Sequence, residues 1–226
     1  VAISLETGWV AKQASGAVLV RCGDTVVFVA TVVGDPRGDG DFLPLTVDYR
    51  ERYAAVGRFP GGFFKREARP TQKETLTARL TDRPIRPLFP SGYSNEVLIQ
   101  GIVYSADGEF DPDVLNILGA SATLCLSAAP FLGPVAAVRI GLVGDEFIPF
   151  ATYKERAAGD LDLVVAGTKD SITMVECSAN EVPEEQMVEA LEYAHELIQE
   201  LCALQQDLLD KLARPARQAP EAAKLP

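Results

Sequence analysis

Phe63 and Phe64 stand next to Lys65 and Arg66, directly behind Pro60-Gly61-Gly62. Two aromatic rings thus lie beside two cations in a segment whose Pro and Gly residues favour a loop. Unpaired bases and their phosphates ask for the same two features, a π-face to stack on and a positive charge within reach. The bland alternative is a Phe-Phe pair buried in the core, and the residues alone leave both readings open. Arg79 and Arg83 are four apart, so on a helix both guanidinium groups leave from one face, with Arg69 upstream and Arg86 just beyond. Such arginines suit phosphate, yet an Arg on a helix face also pairs with a neighbouring carboxylate, here Glu74 or Asp82.

Charge gives these residues a context. From Arg58 to Arg86 there are 8 Lys or Arg against 3 Asp or Glu, whereas the whole 226-residue chain has a formal net charge of −11. A small positive island on an acidic surface draws phosphate locally while its surroundings repel it. If the chain meets RNA, this segment is where it does so.

Other chemistry finds little support. No Walker loop, dinucleotide fingerprint or nucleophile elbow occurs. Cys22, Cys125, Cys177 and Cys202 lie far apart without a CxxC, and His195 is the only histidine. That argues against a zinc site and a disulfide framework, so the thiols read as free and mostly structural. A composition 47% hydrophobic and 23% charged suits a globular protein with a sizeable core. There is no run of about 18 apolar residues and no basic leader, so neither a membrane span nor a signal peptide is expected, and a cytoplasmic address is.

The elements that must position the basic segment alternate between strands and helices. Ala17–Arg21 and Thr25–Val33 flank Cys22-Gly23-Asp24 as a hairpin, Gly34–Gly40 reads as a loop, and Phe42–Tyr49 is a further apolar run, so the chain is expected to open as an antiparallel sheet. Thr71 precedes Glu74 by the capping-box spacing, and Leu76 and Leu80 share a helical face until Arg83-Pro84 ends the helix. A strand over Val97–Ser105 leads to Asp111-Pro112-Asp113 and an apolar helix from Val114 to about Ser127, in which Gly119, Ala120 and Ser121 permit close packing. Val135–Val143 with Glu146–Phe150, and Leu161–Ala166 with Ile172–Cys177, read as two more hairpins. Pro183–Leu212 is a long amphipathic helix whose acidic side, Glu184 to Glu200, reads as a solvated face.

At this point the motifs carry a resemblance. Phe63-Phe64-Lys65-Arg66-Glu67-x-Arg69-Pro70, Thr77-Ala78-Arg79-Leu80-x-Asp82-Arg83-Pro84-Ile85-Arg86-Pro87-Leu88-Phe89-Pro90, Gly119-Ala120-Ser121-Ala122 and Leu163-Val164-Val165-Ala166-Gly167-Thr168 resemble bacterial polyribonucleotide phosphorylases, specifically the first of their two RNase PH-like cores. The match runs from about Leu5 to Leu201 with these blocks in order. It implies an α+β fold, an RNase PH-like core (ribosomal protein S5 domain 2-like) with a mixed sheet packed with helices. On that pattern residues 1–205 form the core, its opening strand missing, and residues 206–226 are the end of the C-terminal helix and a linker toward an all-α domain.

The resemblance further implies a phosphate-dependent 3′-to-5′ exoribonuclease that degrades single-stranded RNA to nucleoside diphosphates, or polymerises without a template in reverse, with inorganic phosphate as co-substrate and magnesium. The family works as a homotrimer in which two cores per subunit surround an RNA channel. The role implied for Phe63, Phe64, Lys65 and Arg66 is to grip RNA at the channel constriction. Arg79 and Arg83, with Arg86 and Arg69 behind them, would lend phosphate contacts to an active site shared with the second core of the same protein.

The family's chemistry resides in that second core, and this sequence departs from the catalytic pattern in ways that matter physically. Where catalytic cores offer a Ser-rich turn to phosphate, this chain has Asp111-Pro112-Asp113, two repelling carboxylates and a proline without an N–H. It keeps Gly159-Asp160-Leu161-Asp162, but Val164 stands where the pattern has a charge-stabilising lysine and Arg156 where it has a metal-binding carboxylate. Catalytic residues and a metal are accordingly not expected in this core, and Asp160 and Asp162 read as structural. The expected job is RNA binding and completion of a neighbouring active site, with no phosphorolysis by this chain alone. A stand-alone RNA-binding or scaffold module is the alternative.

Overall fold

Gly23 turns the first hairpin in the left-handed conformation (φ +58°) that its tight connection demands. The computed structural model, which describes residues 2–36 and 42–212, pairs strands β2 (Gly16–Cys22) and β3 (Thr25–Pro36) antiparallel across that turn. β3 runs on through Gly34 to Pro36, which the sequence placed in a loop; the rest of that loop, residues 37–40, and the linker from Ala213 lie outside the described residues. β1 (Ile3–Thr7), which the sequence reading did not assign, pairs antiparallel outside β2.

The first sheet has the order β1-β2-β3-β5-β4, and here the expected all-antiparallel opening is corrected. β4 (Leu45–Glu51) pairs parallel with β5 (Asn95–Ser105). A parallel neighbour requires a long crossover, and this one holds a 3₁₀ turn at Tyr53–Val56, the Phe63-Phe64 segment and helix α1 (Gln72–Ile85). The basic segment is thus the connection that leaves the sheet and returns to it.

α1 begins as its sequence dictates. Thr71 Oγ1 accepts from the Glu74 N–H at 3.2 Å, and a Glu74 carboxylate oxygen accepts from the Thr71 N–H at 2.6 Å. Its other oxygen accepts from the Glu51 N–H at 2.9 Å, tying the helix start to the end of β4. The helix does not stop at Arg83. It runs through Pro84 to Ile85, because a proline in the last turn forfeits only one intrahelical hydrogen bond. Leu80 and Ile85 are buried, whereas Leu76, expected to share the Leu80 face, is exposed.

α2 (Asp113–Leu126) is buried along its whole length and packs against β2, β3 and β5 on one side and β6 on the other. Its small residues permit this: a Cβ at Gly119 would fall 2.5 Å from Val29 Cγ2, and Ser121 Oγ accepts from the Val135 N–H at 2.8 Å. The second sheet, order β7-β6-β8-β9, contains β6 (Ala136–Val143), β7 (Glu146–Pro149), β8 (Leu161–Gly167) and β9 (Ile172–Ala179), all paired antiparallel. A short helix, α3 (Tyr153–Ala158), with its own capping box from Thr152 to Glu155, fills the β7–β8 connection.

α4 (Glu184–Lys211) buries Ala190, Ala194, Ile198, Leu201 and Cys202 and packs on β6 and β8. Glu184, Glu185, Glu189, Glu192, Glu196 and Glu200 are exposed, as their spacing predicts. His195 Nε2 donates to the Thr168 carbonyl at 3.1 Å and so locks α4 to the β8–β9 turn. Cys22, Cys125 and Cys202 are buried free thiols and Cys177 an exposed one; burial pushes Cys22 up to about 11, which keeps it protonated and inert.

Candidate nucleic-acid interface

Both ends of the Phe63-Phe64 loop are fixed to the 3₁₀ turn that follows β4. Gly57 adopts a left-handed φ of +67°, and the Arg58 N–H donates to the Tyr53 carbonyl at 3.0 Å. At the far end Glu67 accepts from Arg52 Nη1 and from the Tyr53 N–H, each at 2.6 Å. Between these anchors the chain projects into solvent. Phe63 is 95% exposed and Phe64 81%, which decides against the buried alternative. Their rings meet edge to face with centroids 5.4 Å apart. Gly61 and Gly62 have open space where a Cβ would sit, and Arg66 and Arg69 are exposed with no hydrogen bond or ion pair among the described residues.

The two α1 arginines and Arg86, just past the helix end, separate. Arg79 is exposed and unpaired among the described residues. Arg83, one turn on, reaches Glu176 of β9 at 3.0 Å, with both side chains more than half exposed. An exposed pair of this kind is worth only about 0–1 kcal/mol, so a phosphate can displace it. Arg86 is committed: it grips both carboxylate oxygens of Asp82 at 2.7 and 2.9 Å and donates to the carbonyls of Leu43 and Leu45 at 3.0 and 3.1 Å. It braces α1 against the start of β4.

Beside the α1 arginines lies an open cleft of about 600 Å³, between α1, α3 and β9. Its floor is a cluster of opposite charges. Arg139 of β6 bridges Asp113 and Asp162, and Arg156 of α3 bridges Asp111 at 2.9 Å and Asp162 at 2.7 Å. Lys73 of α1 adds contacts to Asp111 at 3.1 Å and Glu51 at 2.9 Å, and donates to the Tyr153 hydroxyl at 3.2 Å. Burial alone would raise the Asp111 carboxyl, but Lys73, Arg139 and Arg156 outweigh it and hold it below the usual range. Burial pushes Asp113 up, and the neighbouring Asp111 adds to that against the pull of Arg139. Asp160 stays apart, accepting from Asn180 Nδ2 at 3.0 Å.

Magnesium does not fit this floor. Each of the carboxylates that could ligate it already faces a guanidinium, and no group of three or more His, Cys, Asp or Glu among the described residues is arranged to hold a metal ion. Val164, in place of a lysine, is buried in one apolar cluster with Leu80, Ile117 and Ala137. Sequence reasoning missed Arg139 and Lys73. A signal for Arg139 was present, since a lone charge inside the apolar run Ala136–Val143 must find buried partners.

Comparison with known proteins decides what family this arrangement serves. The sequence profile of the 3′ exoribonuclease family, domain 1, matches residues 2–130, and that of domain 2 of the same family matches residues 133–196. The chain belongs to the 3′ exoribonuclease family. It is also similar to polyribonucleotide nucleotidyltransferases: 54% identical over 213 residues to that of Persephonella marina, covering 94% of this chain and 30% of the relative. Identity is 55% over 205 residues for Sulfurihydrogenibium azorense (90% and 29%) and 51% over 213 residues for Salinibacter ruber (94% and 30%). The resemblance drawn from the motifs, to the first RNase PH-like core of such enzymes, is supported, and so is the α+β fold it implies. The chain spans about 30% of the length of the curated relatives it matches. Within the 3′ exoribonuclease family frame, the loop and the α1 arginines belong to domain 1, and the cleft floor takes Arg139, Arg156 and Asp162 from domain 2.

Proposed function

We propose that this chain is the RNA-gripping, non-catalytic core of a phosphate-dependent 3′-to-5′ exoribonuclease that releases nucleoside diphosphates from single-stranded RNA. One observation carries the reading: the arginines fall into two sets, with Arg79 and Arg83 presented on the exposed face of α1 and Arg139 and Arg156 consumed beneath the cleft. The first set can hold phosphates. The second neutralises the carboxylates that a catalytic core would need for a metal, so magnesium and the attacking inorganic phosphate are assigned to a second core of the same protein.

Phe63 and Phe64 supply stacking faces to successive bases, with Lys65, Arg66 and Arg69 beside the backbone. Leaving a Phe ring in water forgoes about 1.5–3 kcal/mol of burial, which fits a surface kept free for a ligand. Arg79 and Arg83 hold RNA phosphates at an active site shared with the second core, and Arg86 acts indirectly by bracing α1. A homotrimer of two-core subunits surrounding the strand, in the cytoplasm, completes the proposal; no helix among the described residues is long and apolar enough to cross a membrane.

The test is phosphate-dependent release of nucleoside diphosphate from poly(A), with the complete protein and this core assayed side by side. Release by the complete protein alone is the expected result, together with its loss in the complete Arg79→Ala/Arg83→Ala variant. Turnover by this core above a heat-inactivated control would refute the non-catalytic assignment.

A further inference from the structure

A third ring shares the loop. Phe59 is 78% exposed, and together with Phe63 and Phe64 it gives three exposed phenyl rings within six residues of chain. It differs from the other two in having a cation already in place: Lys65 Nζ lies over its face, 5.9 Å from the ring centroid. Lys65 itself holds a left-handed φ of +50° at a turn closed by its N–H on the Gly62 carbonyl at 3.1 Å. A non-glycine residue held in that region is a feature that clusters where a ligand is clamped. The turn brings Lys65 back onto Phe59, six residues earlier, while Phe63 and Phe64 meet each other instead.

We infer that Phe59 is a further RNA-binding residue, a separate stacking platform on which a base lies against the face that Lys65 does not cover, with the ammonium across the ring to meet a neighbouring phosphate. The inference rests on the RNA-gripping reading of the loop. Its grounds are the ring's own exposure and its cation. An aromatic ring partnered by an ammonium, on the positive segment of an acidic chain, matches a nucleotide better than an apolar protein surface, which would leave the Lys65 charge buried and unpaired.

Phe59→Leu keeps an apolar side chain of similar size but removes the π-face. In the complete assembled protein, with a fluorescein-labelled oligo(A) strand and an abasic strand of equal length as probes, Phe59→Leu is expected to weaken oligo(A) binding about tenfold. Its salt slope should be unchanged, and binding of the abasic strand unaltered. Equal weakening of both probes would mean that Phe59 only props Lys65, and the stacking role falls. Unchanged oligo(A) binding by Phe59→Leu, alongside a loss in Phe63→Ala/Phe64→Ala, would remove Phe59 from the strand's path while leaving the loop reading intact. If neither variant weakens oligo(A), the loop reading and this inference fall together. Intact RNA binding with a shifted assembly size on gel filtration would assign the ring to a protein contact and overturn the proposal.

Discussion

The loop between Arg58 and Arg69 and the floor of the cleft both concentrate charge, and they use it in opposite ways. In the loop the cations stand in water with aromatic rings beside them and, apart from Lys65 over Phe59, no partner among the described residues. On the cleft floor Arg139 is buried, Arg156 mostly so, and both are spent on Asp111, Asp113 and Asp162. The difference teaches that the number of arginines says little about function until their partners are known. Solvated cations cost little to keep and are free for phosphate; buried ones offset carboxylates whose desolvation would otherwise be ruinous. A catalytic metal and a bridging guanidinium answer the same electrostatic need, and this chain answers it from within.

The contrast breaks most sharply at Arg139. Replacing it by Met leaves Asp113 and Asp162 facing each other without that cation, and removing one partner of a buried pair costs about 3–5 kcal/mol. Urea unfolding should show a stability loss of that size, read as a lower midpoint with little change in slope. Adding Asp113→Asn to Arg139→Met should recover part of it, since one of the stranded charges is then gone. A loss under about 1 kcal/mol would mean that water reaches the floor and that the cluster is not closed. Phe63→Ala with Phe64→Ala is the opposite case. Stability should stay put, while single-strand affinity falls by about 1–3 kcal/mol per unstacked base, measured by fluorescence anisotropy on oligo(A). Wild-type affinity would show the rings to be bystanders.

How far this contrast was legible beforehand depends on the range of each interaction. The α1 capping box, the hairpin at Gly23 and the α4 stripe rest on neighbours within four residues, and each formed where its spacing placed it. The parallel β4–β5 pairing could not be read locally, because it depends on where a crossover of more than forty residues returns. Lys73 looked like part of the positive island. Its partner Asp111 lies 38 positions away in sequence, and only folding takes Lys73 out of the interface. Arg86 illustrates the intermediate case: Asp82, four residues before it, was a visible partner, but the Leu43 and Leu45 carbonyls that complete its clamp were not. Trp9, which the sequence places in the core or at an interface, is exposed on the segment after β1 and so is not a core residue.

The α1 arginines sharpen the comparison on one helix. Arg79→Ala with Arg83→Ala removes up to two phosphate contacts, and on a single strand each contact contributes about 0.7 to the slope of log affinity against log salt. The slope should therefore fall by up to about 1.4 in the double variant. Arg86→Ala should leave the slope alone and instead lower the unfolding midpoint, because its bonds run to Asp82 and to backbone carbonyls. A slope change in Arg86→Ala equal to that of Arg79→Ala would place all three on the strand and erase the division.

Lys73 tests the cleft floor most gently, through pH. Burial by itself would lower its ammonium pKa, but Asp111 and Glu51, with the Tyr153 hydroxyl, outweigh that and raise it above the ordinary 10.5. A cation whose folded pKa is raised contributes stability that is fully present below the unfolded value and lost as pH climbs through the folded one. Two tyrosines act in the same direction. Burial raises the phenols of Tyr49 and Tyr153, beside Glu51 and Asp111 respectively, so the unfolded chain ionises first and the fold loses ground above about pH 10. Thermal unfolding followed from pH 9 to pH 12 should therefore show a falling midpoint in the wild type. Lys73→Met should start lower and fall less steeply, keeping only the tyrosine share of the decline. A parallel curve, merely displaced, would mean that Lys73 packs against Tyr153 and Asp111 without its charge mattering, and the cleft floor would then be held by Arg139 and Arg156 alone.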